Sequence, residues 1–251
     1  MRARLPKPLH GWRVFIGEVG VIVLGVVIAL AAQQAAESLN ERREAAETRN
    51  ALTTEIEETL AILELRRLAQ PCIDRRLKEL RAIVNLWGRT GSFETPGWVS
   101  QAPWFAFSTA RFDAAQSAGR LALLSSEEQY RFGLMVASLL DFRDIQQRES
   151  EAWSTLRMLQ SGPEALSTSD RTAIREALQD ASTLNHYAQI SVGQRLPQAA
   201  SFGWRPDMKR VQERMRQAWK DGQFRPSICI PIDTPPEQAN REANLIYPLP
   251  E

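Results

Sequence analysis

Histidine and cysteine are nearly missing from this chain, with two of each among 251 residues. That scarcity removes most metal chemistry, because zinc and related ions need several His, Cys or carboxylate ligands converging at short spacings. His10 lies near the N-terminus and His186 in a helical stretch, each without a His or Cys three or four residues away. No Cys-x-x-Cys occurs, which excludes a thioredoxin-like redox motif. A glycine-rich phosphate loop, a dinucleotide fingerprint and a nucleophile elbow are equally absent. The neighbouring acids Glu55, Glu57 and Glu58, and Glu127 with Glu128, are read as a solvated helix face. No catalytic, cofactor-binding or metal site is assigned, and no cofactor is expected.

Strand-like alternation never persists long enough to seed a sheet, and no internal repeat is visible. An excess of one charge is missing too, since 31 Lys and Arg stand against 30 Asp and Glu. Four of the basic residues, Arg2, Arg4, Lys7 and Arg13, fall within 1–13 without an acid, leaving 27 against 30, or −3, for the rest. A mildly acidic body gives no reason to expect nucleic acid as a partner. At 43% hydrophobic and 24% charged, the composition is that of a folded protein.

What the chain does have is one long apolar run. From Val14 to Ala32 it reads VFIGEVGVIVLGVVIALAA, with Glu18 as the only charge. At 1.5 Å per residue such a helix is about 28 Å long, close to the hydrocarbon core of roughly 30 Å. Its apolar character on every face argues against an ordinary buried helix. The basic flank precedes the run, so the positive-inside rule keeps residues 1–13 in the cytoplasm and exports the body to the periplasm. The expected location is the inner membrane, with the lipid bilayer as first partner. Ala29-Leu30-Ala31 also has the form of a signal-peptide cleavage site, but helix-forming residues continue straight through Gln33-Gln34-Ala35-Ala36-Glu37. An uncleaved anchor is the preferred reading, and both readings export the body. Glu18 either pairs with a cation on a partner helix or, lying about two turns from the cytoplasmic end, reaches the headgroups. Gly25 and Ala29 form a small-xxx-small pair that lets two anchors approach closely.

Gly17-Glu18-Val19 with Val23-Leu24-Gly25-Val26-Val27-Ile28-Ala29-Leu30, and further on Ser117-Ala118-Gly119-Arg120-Leu121-Ala122-Leu123-Leu124 followed by Ser125 to Gln129, resemble two motifs of one family. It is a family of uncharacterised bacterial single-pass membrane proteins, a domain of unknown function. Such proteins commonly carry an Asn/Trp-rich stretch past the anchor, where this chain has Gln33-Gln34-Ala35-Ala36. The resemblance implies a bacterial, single-pass protein and no particular activity.

Beyond the anchor, Glu37 to Gln70 has no Gly or Pro and is rich in helix formers. Leu52, Ile56, Thr59 and Leu63 recur at helical spacing, while Arg49 and Arg66 interrupt the seam. The anchor helix is expected to continue into this one and to stop at Pro71. A second helix is expected over Cys72 to Trp87, then a loop over Gly88 to Pro103 and a short helix over Thr109 to Gln116. Ser125 and Glu128 offer a capping box that starts a long helix to about Gln160. Its apolar face is interrupted by Gln146 and Glu149. The next helix opens near Ser169 or Asp170 and stops before Pro197, and a last one runs from Pro206 to Gly222. The fold class is all-α: a transmembrane helix (14–32) continuing into an elongated helical bundle (33–222), with an extended Pro-rich strap (223–251). Six prolines forbid a helix in that strap, and its apolar residues predict that it lies along the bundle.

Two features invite a role. Phe93, Trp98, Trp104, Phe105 and Phe107 are dense aromatics for a loop; they form either an interaction surface or a plug at the end of the bundle. Cys72 and Cys229 read as a disulfide in an oxidising compartment, with two buried thiols as the alternative. Three functional classes follow. The first is a structural or interaction module, a scaffold or adaptor binding itself or an envelope protein. The second is a periplasmic bundle that binds a small ligand and signals through its anchor. An enzyme with an unrecognised site is the third.

Overall fold

The computed structural model of the chain describes residues 12–100, 107–220, 228–235 and 237–239. Helices of eight residues or more are α1 (Trp12–Thr90), α2 (Ala110–Ser117), α3 (Ser126–Leu156), α4 (Thr168–Ser201) and α5 (Met208–Lys220). Short 3₁₀ turns at Arg120–Leu123, Arg157–Ser161 and Pro163–Ala165 link them. The described residues contain no strand, and the fold is all-α.

Helix α1 is 79 residues long, about 120 Å at the usual rise. Its N-terminal part is long and apolar enough to cross a membrane, with a mean hydropathy of 2.2 and none of that window buried. Every residue from Ile16 through Glu37 is exposed. An unaccompanied helix in water needs its own support, and pairs one turn apart supply it. Gln33 donates to Glu37 at 2.9 Å, Asn40 to Glu44 at 2.9 Å, and Arg43 to Glu47 at 3.0 Å. Thr48 and Leu52 are the first fully covered side chains, so the bundle begins there.

Two helix ends differ from those the sequence suggested. Helix α1 does not stop at Pro71, and no separate helix opens at Cys72; it continues through Gly88 to Thr90. A proline inside a helix loses one hydrogen bond and crowds the preceding turn, at a cost of about 3 kcal/mol. Pro71 sits on the exposed face, while Ile73, Leu77 and Leu80 beyond it are buried. Each such side chain stabilises by about 1.5–3 kcal/mol, so the core-facing stripe outweighs the proline. Pro197 repeats the case: it is exposed, and α4 runs past it to Ser201, with Ala199 buried. Helix α3 starts as expected, with both bonds of the Ser125–Glu128 capping box formed. Helix α4 has its own box, Ser167 with Asp170.

Side-chain contacts give the arrangement. Arg66 meets Asn185, Arg81 meets Ser182, and Arg171 reaches the Trp87 carbonyl, so α4 runs antiparallel to α1. Arg49 with Glu128 and Arg66 with Glu149 place α3 parallel to α1. The core between these three helices has two apolar halves. The anchor-proximal half gathers Leu52, Ile56, Leu60 and Leu63 with Phe132, Leu139, Phe142 and Val192. The distal half gathers Ile73, Leu77, Leu80 and Val84 with Trp153, Leu156, Ile174 and Ile228. Helix α5 lies against α1 through Met208 and Val211, which pack on Ala61 and Leu65.

Candidate functional site

Between the two apolar halves lies a polar layer. Arg66 and Glu149 are 1% and 0% exposed, and Arg66 Nη2 stands 2.8 Å from Glu149 Oε1. The same nitrogen donates to Asn185 Oδ1 at 2.8 Å. Asn185 Oδ1 also accepts from Gln70 at 2.9 Å, and Asn185 Nδ2 donates to Asp74 at 2.9 Å. Each of the three long helices thus contributes a side chain to one hydrogen-bonded layer that runs from the core to the surface at Asp74. Buried charges persist only when paired in this way.

From Asp74 the layer opens into a groove of about 530 Å³ between α1 and α4, bordered by Lys78, Arg81, His186 and Gln189. Asp74 Oδ1 accepts from Gln70 at 2.8 Å, Asn185 at 2.9 Å and Gln189 at 3.2 Å, while Oδ2 accepts only from Gln189 at 3.4 Å. A second pocket of about 400 Å³ lies between α1, α2 and α5, lined by Glu55, Glu58, Thr59, Ile62, Phe107, Arg111 and Arg214 among others. Its acids are not the solvated face that the sequence suggested: Glu55 and Glu58 are each only 8% exposed. Glu55 accepts from the backbone N–H groups of Arg111 and Phe112, both at 3.0 Å, and so closes the start of α2. Glu58 is compensated by guanidinium groups of α2 and α5, which linear sequence could not bring to it.

The C-terminal segment is fastened to the distal half. Cys72 and Cys229 form a disulfide across 157 residues of sequence. Arg76, fully buried, donates to the carbonyls of Trp98 at 2.6 Å and Val99 at 2.7 Å, and to that of Ile230. Burial pushes the Arg76 guanidinium below its ordinary range, and the hydrogen bond to Glu79 pulls it back. Trp98 N–H donates to the Ile232 carbonyl at 2.8 Å, so the segment lies beside the loop that follows α1. Ile228 and Ile230 are buried. Residues 223–227, 236 and 240–251 of the expected strap lie outside the described residues.

The aromatic residues singled out from the sequence do not gather in one place. Phe93 is buried against Trp87, ring centroids 5.3 Å apart, and belongs to the distal core. Trp98 is half-buried beside the strap. Phe107 lines the α1/α2/α5 pocket. Trp104 and Phe105 lie outside the described residues. Glu18, Gly25 and Ala29 are exposed on the apolar part of α1. His186 borders the α1/α4 groove without a cysteine or second histidine beside it, and no cluster of three metal-ligating side chains occurs among the described residues. The buried ion pair was the main omission. Its signal was present as two polar interruptions of opposite charge, Arg66 in one apolar seam and Glu149 in another. Compared with family models, with curated proteins and with solved structures, the chain finds no match.

Proposed function

We propose that this chain is a membrane-anchored adaptor or scaffold: a helical body held at a set distance from the bilayer, binding a second copy or an envelope protein. In this reading it is a bacterial inner-membrane protein, a member of the family of uncharacterised single-pass proteins that its anchor resembles. Residues 1–13 face the cytoplasm and the body faces the periplasm. The observation that carries the proposal is the continuity of α1, which is a single helix from the apolar segment into the bundle core. The disulfide supports an oxidising compartment. The test is co-purification of the tagged full-length protein from its native membrane after brief crosslinking, against an anchor-only control. Enrichment of one envelope protein, or of a second copy, supports the adaptor. Recovery of the chain alone, uncrosslinked to itself, sinks it. A reporter fused after residue 251 that is active only in the cytoplasm would refute the orientation.

A second reading, a bundle that takes a small ligand and signals through its anchor, is favoured by the pocket between α1, α2 and α5.

A further inference from the structure

The polar layer is not completed by the protein's own groups. Arg66 Nη2 donates to Glu149 Oε1 and Asn185 Oδ1, both at 2.8 Å. The rest of that guanidinium, Nε and Nη1, is buried without a hydrogen-bond partner, and so is Glu149 Oε2. One turn further along α3, Trp153 Nε1 is buried and unmatched as well. The side chains of Arg66, Glu149 and Trp153 are 1%, 0% and 0% exposed. Ala69, one turn past Arg66 on α1, belongs to the same buried cluster as Trp153, so the indole stands at the level just distal to the ion pair.

Buried donors and acceptors are matched in nearly all folded proteins, and those without a protein partner hold internal water or an ion. Charge decides against an ion, because Arg66 and Glu149 cancel and Asn185 and Trp153 are neutral. The missing partner accepts from guanidinium and indole N–H groups and donates to a carboxylate oxygen. Water does both and fits a closed core. The dry alternative, a guanidinium turned to grip both Glu149 oxygens, still leaves Nη1 and the Trp153 N–H unmatched. We propose that Arg66, Glu149 and Trp153 form an internal water site where the core divides. The free N–H groups of Arg66, the Trp153 N–H and Glu149 Oε2 amount to about five bonds, which about two waters satisfy at about three each. Asn185, bonded to Arg66 and to Asp74, carries the layer to the α1/α4 groove, which gives the water its route to solvent. The pair that sets the register of the three long helices is thus completed by solvent rather than by another side chain. The site is independent of both readings of the function above.

Rotating-frame cross-relaxation between water and side-chain N–H groups tests it, on the full-length chain in nonionic detergent with labelled arginine and tryptophan nitrogens. The sign of the signal separates dipolar contact with a held water from hydrogen exchange. Trp153→Phe and Arg66→Lys assign the two resonances by their disappearance. Trp153 Nε1–H and Arg66 Nε–H should both show contact with water in the parent; absence of that contact at either one overturns the proposal. Arg66→Met/Glu149→Leu, which replaces the polar pair by apolar side chains, should lose the contact at Trp153. Its retention there would assign the water to the indole alone and overturn the site as described.

Discussion

Removing either half of the Arg66–Glu149 pair should cost far more than removing both. In Glu149→Leu, the Arg66 guanidinium keeps only Asn185 as its hydrogen-bond partner, although its side chain is 1% exposed. In Arg66→Met, the Glu149 carboxylate is left 0% exposed with no cation, while Asn185 Oδ1 still accepts from Gln70. Leaving one member of a buried pair unmatched costs about 3–5 kcal/mol, which for a domain of this size lowers the melting temperature by about 6–20 °C. The double variant Arg66→Met/Glu149→Leu buries two apolar side chains of similar volume and leaves no charge behind. It should recover most of the loss, and can exceed the parent by about 1–4 kcal/mol. Urea unfolding of the full-length protein in nonionic detergent, followed by tryptophan fluorescence, measures all four species of this cycle. The exposed pair Arg43–Glu47, with side chains 80% and 60% accessible, is the control and should change stability by less than about 0.5 kcal/mol. Single losses below about 1 kcal/mol, or a double loss equal to the two singles added, would refute the reasoning.

Four further outcomes follow from the geometry. Replacing Cys72 and Cys229 by serine opens a closure spanning 157 residues, for which loop entropy predicts a loss of up to about 5 kcal/mol; the urea midpoint of the oxidised parent, compared with the variant and with the parent under reductant, checks it. Gly97→Ala sets a Cβ 2.4 Å from the Thr234 carbonyl oxygen, so it should lift the strap and raise hydrogen exchange at Trp98, whose N–H bonds to Ile232; unchanged exchange there contradicts the seating described. The hydrogen bond from Arg49 holds the Glu128 carboxyl down from 4.5 to about 2. A folded-state value below the unfolded one contributes stability above about pH 4.5 and loses it as pH falls toward 2, so Glu128→Gln should flatten the acid limb of a stability–pH curve in that window. Pro71→Ala restores a helix N–H on an exposed face and should stabilise by about 1–3 kcal/mol; a destabilised variant would mean that the proline shapes the helix rather than being tolerated by it.

Much of this fold was written locally. Helical periodicity gave the seams of α1, α3 and α4, and the Ser125–Glu128 box marked the start of α3 to the residue. The start of α4, expected near Ser169 or Asp170, lies at Thr168 and uses the same device, Ser167 with a shorter acid, Asp170, at the third position. Pro71 and Pro197 misled because propensity is a local quantity, whereas the buried stripes that override it come from other helices. Glu55 and Glu58 looked like solvent-facing acids for the same reason: the three arginines that compensate Glu58 lie on α2 and α5. The pairing of Cys72 with Cys229 was readable, since two cysteines allow only one intramolecular partner choice. That Arg76 would fasten the same segment was not, because its acceptors are backbone carbonyls.

The position of the polar layer bears on how such a molecule could act. An apolar seam alone permits three long helices to slide by a turn, because neighbouring turns present similar surfaces. A buried charge pair forbids that slide, since any shift leaves Arg66 and Glu149 unmatched. The layer sits where the core divides, so it fixes the register of α3 and α4 on the same helix that leaves the bundle toward the membrane. From Ile16 to Glu37 every residue of that helix is exposed, with no neighbour among the described residues. The apolar segment and the bundle core share one helix, so the position of α1 in the bundle sets the direction of the segment that leaves it. The distal end is closed by the disulfide and by Arg76.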